Sequence, residues 1–280
     1  MFRTAFVSSL LVLSAALIGH HARCDESPTA KSEDAEESAA AKERLAFMIE
    51  ALGEYNVEVS GEQGTETAKL LSKPALRWSN TVSGTKDGIV GVWTSGGRPE
   101  VVVQFSTPGG WIHEFCSTST HPLKMTRKGT TVWSPKVAGV ELKNVPKAPP
   151  PSESAVRRLG QMRQIAERFE VVDDFHPIYA DPKTERHTLR LLTKPLYRYS
   201  PKGDLIDGAL FGLVITTDPE ALLMVEAYNT DDGPQWRYAL ARMTVYRLTG
   251  KLDGAEVWSA HEKLAGQWRF DEPYFVGVHR

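Results

Sequence analysis

Eight histidines are scattered through the 280 residues, at His20, His21, His113, His121, His176, His187, His261 and His279. None stands at the His-x-His or His-Glu-x-x-His spacing that brings two imidazoles onto one metal ion. His113 and Glu114 are neighbours, which an extended chain turns to opposite faces. The sequence has no Gly-x-Ser-x-Gly elbow, no phosphate-cradling glycine loop and no cysteine-histidine signature. Ser79 and Ser200 each follow an aromatic residue without a glycine frame. No catalytic residue, metal ligand or cofactor-binding residue is therefore assigned, and no cofactor is expected. The most distinctive polar positions are Arg77 and Arg198, each flanked by apolar or aromatic neighbours: Leu76 and Trp78, Tyr197 and Tyr199. In a strand each guanidinium faces one way and its neighbours the other. One reading is a paired anion or glycan site with Trp78 and Tyr199 as aromatic walls, because a planar fork of donors suits carboxylate, phosphate or sugar hydroxyls. The other is structural, with Arg77 pairing Asp87 or Glu100 and Arg198 pairing Asp207 or Glu220. The structural reading is preferred, since a ligand site usually diverges between duplicated copies whereas a structural pair is kept in both. Glu220 with Glu226 or Asp207 could supply the two carboxyls of a glycoside hydrolase, but nothing in the sequence shows that they converge.

The comparison of copies rests on a ten-residue stretch that occurs twice, Leu70 to Ser79 and Leu191 to Ser200, with six positions identical. An offset of 120 superposes Asp87-Gly88 on Asp207-Gly208 and Pro99-Glu100 on Pro219-Glu220. An offset of 125 brings Trp111 onto Trp236 and Trp133-Ser134 onto Trp258-Ser259. Ordered anchors with small gaps indicate a tandem duplication.

Each copy opens on a helical pattern. Leu45, Met48, Ile49 and Leu52 recur at helical spacing before Gly53, and Val156, Leu159, Met162, Ile165 and Phe169 do so after Ser152, a candidate N-cap. Strands are expected over Ile89 to Thr94 and Pro99 to Phe105, joined by a turn at Ser95-Gly96-Gly97-Arg98. Their counterparts are Ala209 to Ile215 and Pro219 to Val225, joined at Thr216-Thr217-Asp218. Later strands are expected over Trp111 to Ser117, Thr131 to Ser134, Trp236 to Tyr246 and Glu256 to Ser259. The Asp-Gly and Pro-Glu pairs read as turn chemistry. The expected fold class is α+β: two tandem repeats, each an amphipathic N-terminal helix packed on an antiparallel sheet of about five strands. The expected domains are a signal peptide (1–22), a disordered acidic tether (23–37), repeat 1 (38–146), a Pro-rich linker (147–152) and repeat 2 (153–280).

Met1-Phe2-Arg3 and the uncharged run from Ala5 to Gly19 have the form of an export signal, too short for a comfortable membrane span. A net charge of −2 gives no electrostatic reason to expect nucleic acid or an anionic membrane, and a membrane is met only through an uncleaved signal if at all. Of the two cysteines, Cys24 lies in the tail, and Cys116 aligns with Ala241 and reads as a small buried residue. The set Lys-Pro-x-x-Arg-[Trp/Tyr]-Ser, Asp-Gly, Pro-Glu, Pro149-Pro150-Pro151 and Arg158 to Arg163 resembles a family of uncharacterised exported bacterial proteins. The resemblance implies export and duplication and no activity. The expectation is an exported, periplasmic or extracellular, non-enzymatic binding or interaction module whose partner is an envelope component or small ligand. A hydrolase of an envelope or environmental polymer and a carrier of an apolar ligand are the alternatives.

Overall fold

The structure is a computed structural model that describes residues 28–61, 64–107, 111–175, 185–200, 203–263 and 266–278, with side chains from residue 37 onward. The expected signal (1–22) and the first residues of the expected tether lie outside the described residues. The chain divides into Met1–Ala40, described only as the leading part of the first helix, and a compact unit Ala41–Arg280. In chain order the elements begin with α1 (Pro28–Gly53), β1 (Tyr55–Gly61), β2 (Gly64–Leu70), β3 (Leu76–Asn80), β4 (Thr85–Ser95) and β5 (Arg98–Ser106). There follow β6 (Ile112–Ser117), β7 (Leu123–Arg127), β8 (Thr130–Trp133) and β9 (Lys143–Asn144). The second half has α2 (Ala155–Ala166), β10 (Phe169–Phe175), β11 (Glu185–Thr188), β12 (Arg190–Leu191), β13 (Tyr197–Tyr199) and β14 (Leu205–Ile215). It closes with β15 (Asp218–Tyr228), β16 (Gln235–Arg242), β17 (Arg247–Leu252), β18 (Ala255–Ala260) and β19 (Tyr274–Val278).

This corrects the expected α+β arrangement of two tandem repeats, each a helix on about five strands. Strands predominate, nineteen against two helices among the described residues. They form a nine-stranded sheet in the order β19-β6-β5-β4-β2-β1-β7-β8 with β3 on β4, a six-stranded sheet β12-β14-β15-β16-β9 with β13 on β14, and a four-stranded sheet β11-β10-β17-β18. The short segment through β11 and β12 pairs with β10 at one end and β14 at the other, so the curved sheets approach a closed barrel. The halves also exchange edges. β19, at the end of the chain, pairs with β6, and β9, from the first half, pairs with β16. Each exchange covers a strand edge that would otherwise present unpaired backbone groups.

The two long hairpins explain the interior. β4–β5 and β14–β15 are buried on both faces, so their side chains alternate between two apolar environments instead of between core and water. Ile89 and Trp93 face a core with Met48, Ala51 and Leu52 of α1. Ala209, Phe211, Leu213 and Ile215 face a second core with Met162, Ile165 and Ala166 of α2. The opposite faces meet in a third core, where Val90, Val92 and Val102 join Leu210, Leu222, Met224 and Ala241. Cys116 sits in that middle layer as a free, buried thiol. The helices present narrower apolar faces than their patterns suggest. Ile49 and Val156 are exposed, Phe169 begins β10, and the N-cap of α2 is Ser154, not Ser152. α1 begins at Pro28 and covers part of the expected tether.

Candidate functional site

Arg77 and Arg198 prove to be clamps. The Arg77 guanidinium donates from Nε to Asp87 Oδ1 (2.8 Å) and from Nη2 to Asp87 Oδ2 (2.6 Å) and to the Ala41 carbonyl (2.9 Å). Arg198 does the same with Asp207 Oδ1 (3.1 Å), Asp207 Oδ2 (2.7 Å) and the Ala155 carbonyl (2.5 Å). A second arginine from each helix reaches the same carboxylate, Arg44 at 3.3 Å from Asp87 and Arg158 at 2.9 Å from Asp207. Each aspartate thus ties a helix to its hairpin by charge-assisted bonds. The adjoining glycine has a different task. A Cβ at Gly88 would sit 2.4 Å from the Trp78 ring, and one at Gly208 would sit 2.4 Å from the Tyr199 ring. The Asp-Gly pairs are therefore mid-strand fittings for an arginine and an aromatic ring, not the turns expected from sequence.

Between the hairpins lies a cavity of about 330 Å³. Its apolar wall is Trp78, Ile112, Phe175, Tyr246, Trp268 and Val276, and its polar wall includes Glu114, Asp218, Glu220, Asn80, Ser106 and Thr244. The strand alternation that puts His113 against Tyr55 and Phe105 in the α1 core turns Glu114 to the cavity. Asn80 Nδ2 donates to Asp218 Oδ2 at 3.0 Å, and its own amide oxygen is held by the backbone N–H groups of Val82 and Ser83. The Tyr274 hydroxyl donates to Glu114 Oε2. Behind the wall, Asp173 is fully buried and neither carboxyl oxygen has a hydrogen-bond partner among the described residues. The adjacent cation is Arg242, whose donors go to the carbonyls of Thr244, His261 and Tyr246 at 2.8, 2.6 and 2.9 Å.

Burial dominates the electrostatics of this end. It pushes the Glu114 carboxyl up to about 7, against the pull of the Tyr274 hydroxyl and of Arg242. Burial, then repulsion from Asp174, raises Asp173 to about 7. Asp218 and Glu220 stand well above the ordinary carboxyl range, first through burial and, for Glu220, then through Asp218, Asp173 and Glu114. Glu114 and Asp218 keep some surface open to the cavity while protein encloses them on other sides. The same causes disfavour the ionised forms of Asp218 and Glu220.

The opposite end of the two hairpins shows what has been changed. There Arg98 begins β5 as Asp218 begins β15, and both follow the same register irregularity. Arg98 Nε donates to Glu226 Oε1 at 2.9 Å and its Nη1 lies 3.5 Å from Glu100. Arg237 Nε donates to Glu226 Oε2 at 2.8 Å, and the Tyr199 hydroxyl to Glu226 Oε1 at 2.9 Å. At the cavity end the matching positions are Asp218 for Arg98, Glu220 for Glu100, Ser106 for Glu226, Ile112 for Arg237 and Trp78 for Tyr199. The cross-strand pairs Ser106–Ile112 and Glu226–Arg237 fix that correspondence. Two arginines and a glutamate are gone, and the Trp78 indole N–H, 5% exposed as a residue, has no hydrogen-bond partner among the described residues.

Of the residues singled out from sequence, Trp78 and Glu220 reach the cavity. Arg77 and Arg198 are spent on their clamps, Tyr199 serves the opposite end, and the suggested partners of Glu220, namely Glu226 and Asp207, are held elsewhere by arginines. Glu114, Asp218 and Thr244 were not singled out as a site. The signal that could have found them is the charge reversal from Arg98 to Asp218 inside otherwise matching segments. Among the described residues no cluster of His, Cys, Asp and Glu is arranged to hold a metal ion, and no helix is long and apolar enough to cross a membrane. No family model, curated protein or solved structure matches this chain.

Proposed function

We propose that the protein is an exported, non-enzymatic binding module that takes a small, largely apolar ligand into the cavity between its hairpins. The observation that carries this reading is a 330 Å³ space walled by Trp78, Ile112, Phe175, Tyr246, Trp268 and Val276, a size and lining suited to a small molecule. Glycoside hydrolysis is less well supported, because it needs an ionised carboxylate beside a protonated one. Burial raises both Asp218 and Glu220 and sets neither apart as the ionised partner, and Arg242 donates to three backbone carbonyls. Export rests on the N-terminal signal pattern and on the family resemblance.

The test is a titration with 2-phenylethanol, a neutral aromatic alcohol, followed by tryptophan emission, since Trp78 and Trp268 line the cavity. Saturable quenching is expected, weakened at least tenfold in an Ile112→Phe variant that fills the space. Linear, unsaturable quenching that is the same in both proteins would remove the reading.

A further inference from the structure

We propose that the ligand carries an organic cation, an ammonium or guanidinium group, seated against Asp218, Glu220 and Glu114 with its apolar body along the aromatic wall. The proposal rests on the cavity being the binding site and adds the chemical class of what it takes. Two observations point the same way.

The first is the internal comparison. Where the far end places its own guanidinium, that of Arg98 beside Glu100 and Glu226, the cavity end keeps the glutamate as Glu220 but substitutes a further carboxyl, Asp218, for the arginine. A cation delivered by a ligand would restore there the pairing that the chain itself makes at the other end. The second is the gathering of buried carboxyls. Glu114, Asp173, Asp218 and Glu220 come together from β6, β10 and β15 with Arg242 as the adjacent cation, and Asp173 has no hydrogen-bond partner among the described residues. Carboxyls gathered away from water are costly to ionise, and an opposite charge relieves that cost. The donor set favours an organic cation over a metal ion, because no metal-holding cluster exists among the described residues.

Seating the cation exchanges a proton. A neutral carboxyl gives up its proton to solvent and becomes the carboxylate that pairs with the incoming ammonium, whose own N–H bonds are unchanged. Affinity for an amine must then rise with pH while these carboxyls remain protonated in the free protein, by as much as about tenfold per pH unit for one proton released. The groups that face this event are Glu114 on β6, Asp173 on β10, Asp218 and Glu220 on β15, Arg242 on β16, Tyr274 on β19 and the nearby Tyr246, with Asp174 beside Asp173 on the other face of β10, paired to Arg186. A neutral ligand of the same shape should show no such rise.

The experiment is calorimetric titration of the full chain with three probes of one shape, 2-phenylethylamine, 2-phenylethanol and 3-phenylpropionate, at pH 6 and pH 7.5. The expected result is an amine at least tenfold tighter than the alcohol at pH 7.5, an amine affinity that rises with pH, and an Asp218→Asn variant that binds both alike. Should that variant fail to fold, the pH dependence of the wild-type protein decides alone. Equal binding of amine and alcohol with no pH dependence would overturn the cation and leave the cavity reading standing. Tightest binding of the propionate would also overturn it. Binding of none of the three would remove the cavity reading and this inference together.

Discussion

The glycine after each clamp aspartate is where one atom decides local structure. Gly88 and Gly208 lie mid-strand under the rings of Trp78 and Tyr199, and a methyl group at either would meet ring carbons at 2.4 Å. Neither ring is free to move away, since both are buried in the middle core. Gly208→Ala is expected to destabilise the protein by about 1 to 3 kcal/mol, the usual cost of overpacking. A Tyr199→Leu, Gly208→Ala double variant should recover part of that loss in urea denaturation, because it removes the ring that causes the clash. Additive losses would show that the glycine is needed for some other reason. The sequence displayed Asp-Gly twice at one offset, yet local chemistry favours a turn for that dipeptide. The ring that requires the glycine is on a neighbouring strand, and so its role was not legible.

At the scale of elements, the duplicated Arg-Asp pairing joins each helix to its hairpin. Asp207 is fully buried and accepts from Arg158 on α2 and Arg198 on β13, so Asp207→Ala leaves a buried guanidinium without its counter-charge. A loss of about 3 to 5 kcal/mol is expected. Arg198→Ala should cost less, about 1 to 3 kcal/mol, because Arg158 still satisfies the aspartate and Arg198 is partly exposed. Thermal melts of the two variants check the order; equal melts, or an Arg198→Ala melt matching wild type, would contradict the clamp. The hairpins themselves were readable: the Gly96-Gly97 turn and the β-branched run from Val101 to Val103 mark β4–β5, and the offset carries the assignment to β14–β15. Strands such as β2, with Ala68 its sole buried residue, carry no comparable apolar alternation. The expected strand count therefore fell short, and an edge exchange such as β19 onto β6 leaves no local mark.

For the whole molecule, the acid-rich cavity has a consequence for stability. Glu114 rises from 4.5, and Asp173 from 3.8, to about 7 in the folded chain, so the folded state holds more protons than the unfolded state between those values. Stability must then be greatest near the ordinary carboxyl values and fall as pH rises through 7. A decrease in Tm on the order of 5 to 10 °C between pH 5 and pH 8 is expected, and an unchanged or rising Tm would contradict it. Opposing this trend, Glu54 is drawn down to about 2 by Lys128 and Arg127, but that group titrates below the window concerned. The cavity draws on β3, β4, β5, β6, β10, β15 and β19, from both halves of the sequence, which is why no motif announced it. The central claim is that the hairpins are neutralised by arginines at one end and left open for a ligand cation at the other. Carbon-13 NMR of the side-chain carboxyls, with and without 2-phenylethylamine, tests it most directly. Titration midpoints of Asp218 and Glu220 well above the ordinary carboxyl range in the free protein, with at least one of them falling when the amine binds, is the predicted result. Carboxyls ionised with midpoints near 4 and unmoved by the amine would contradict the account.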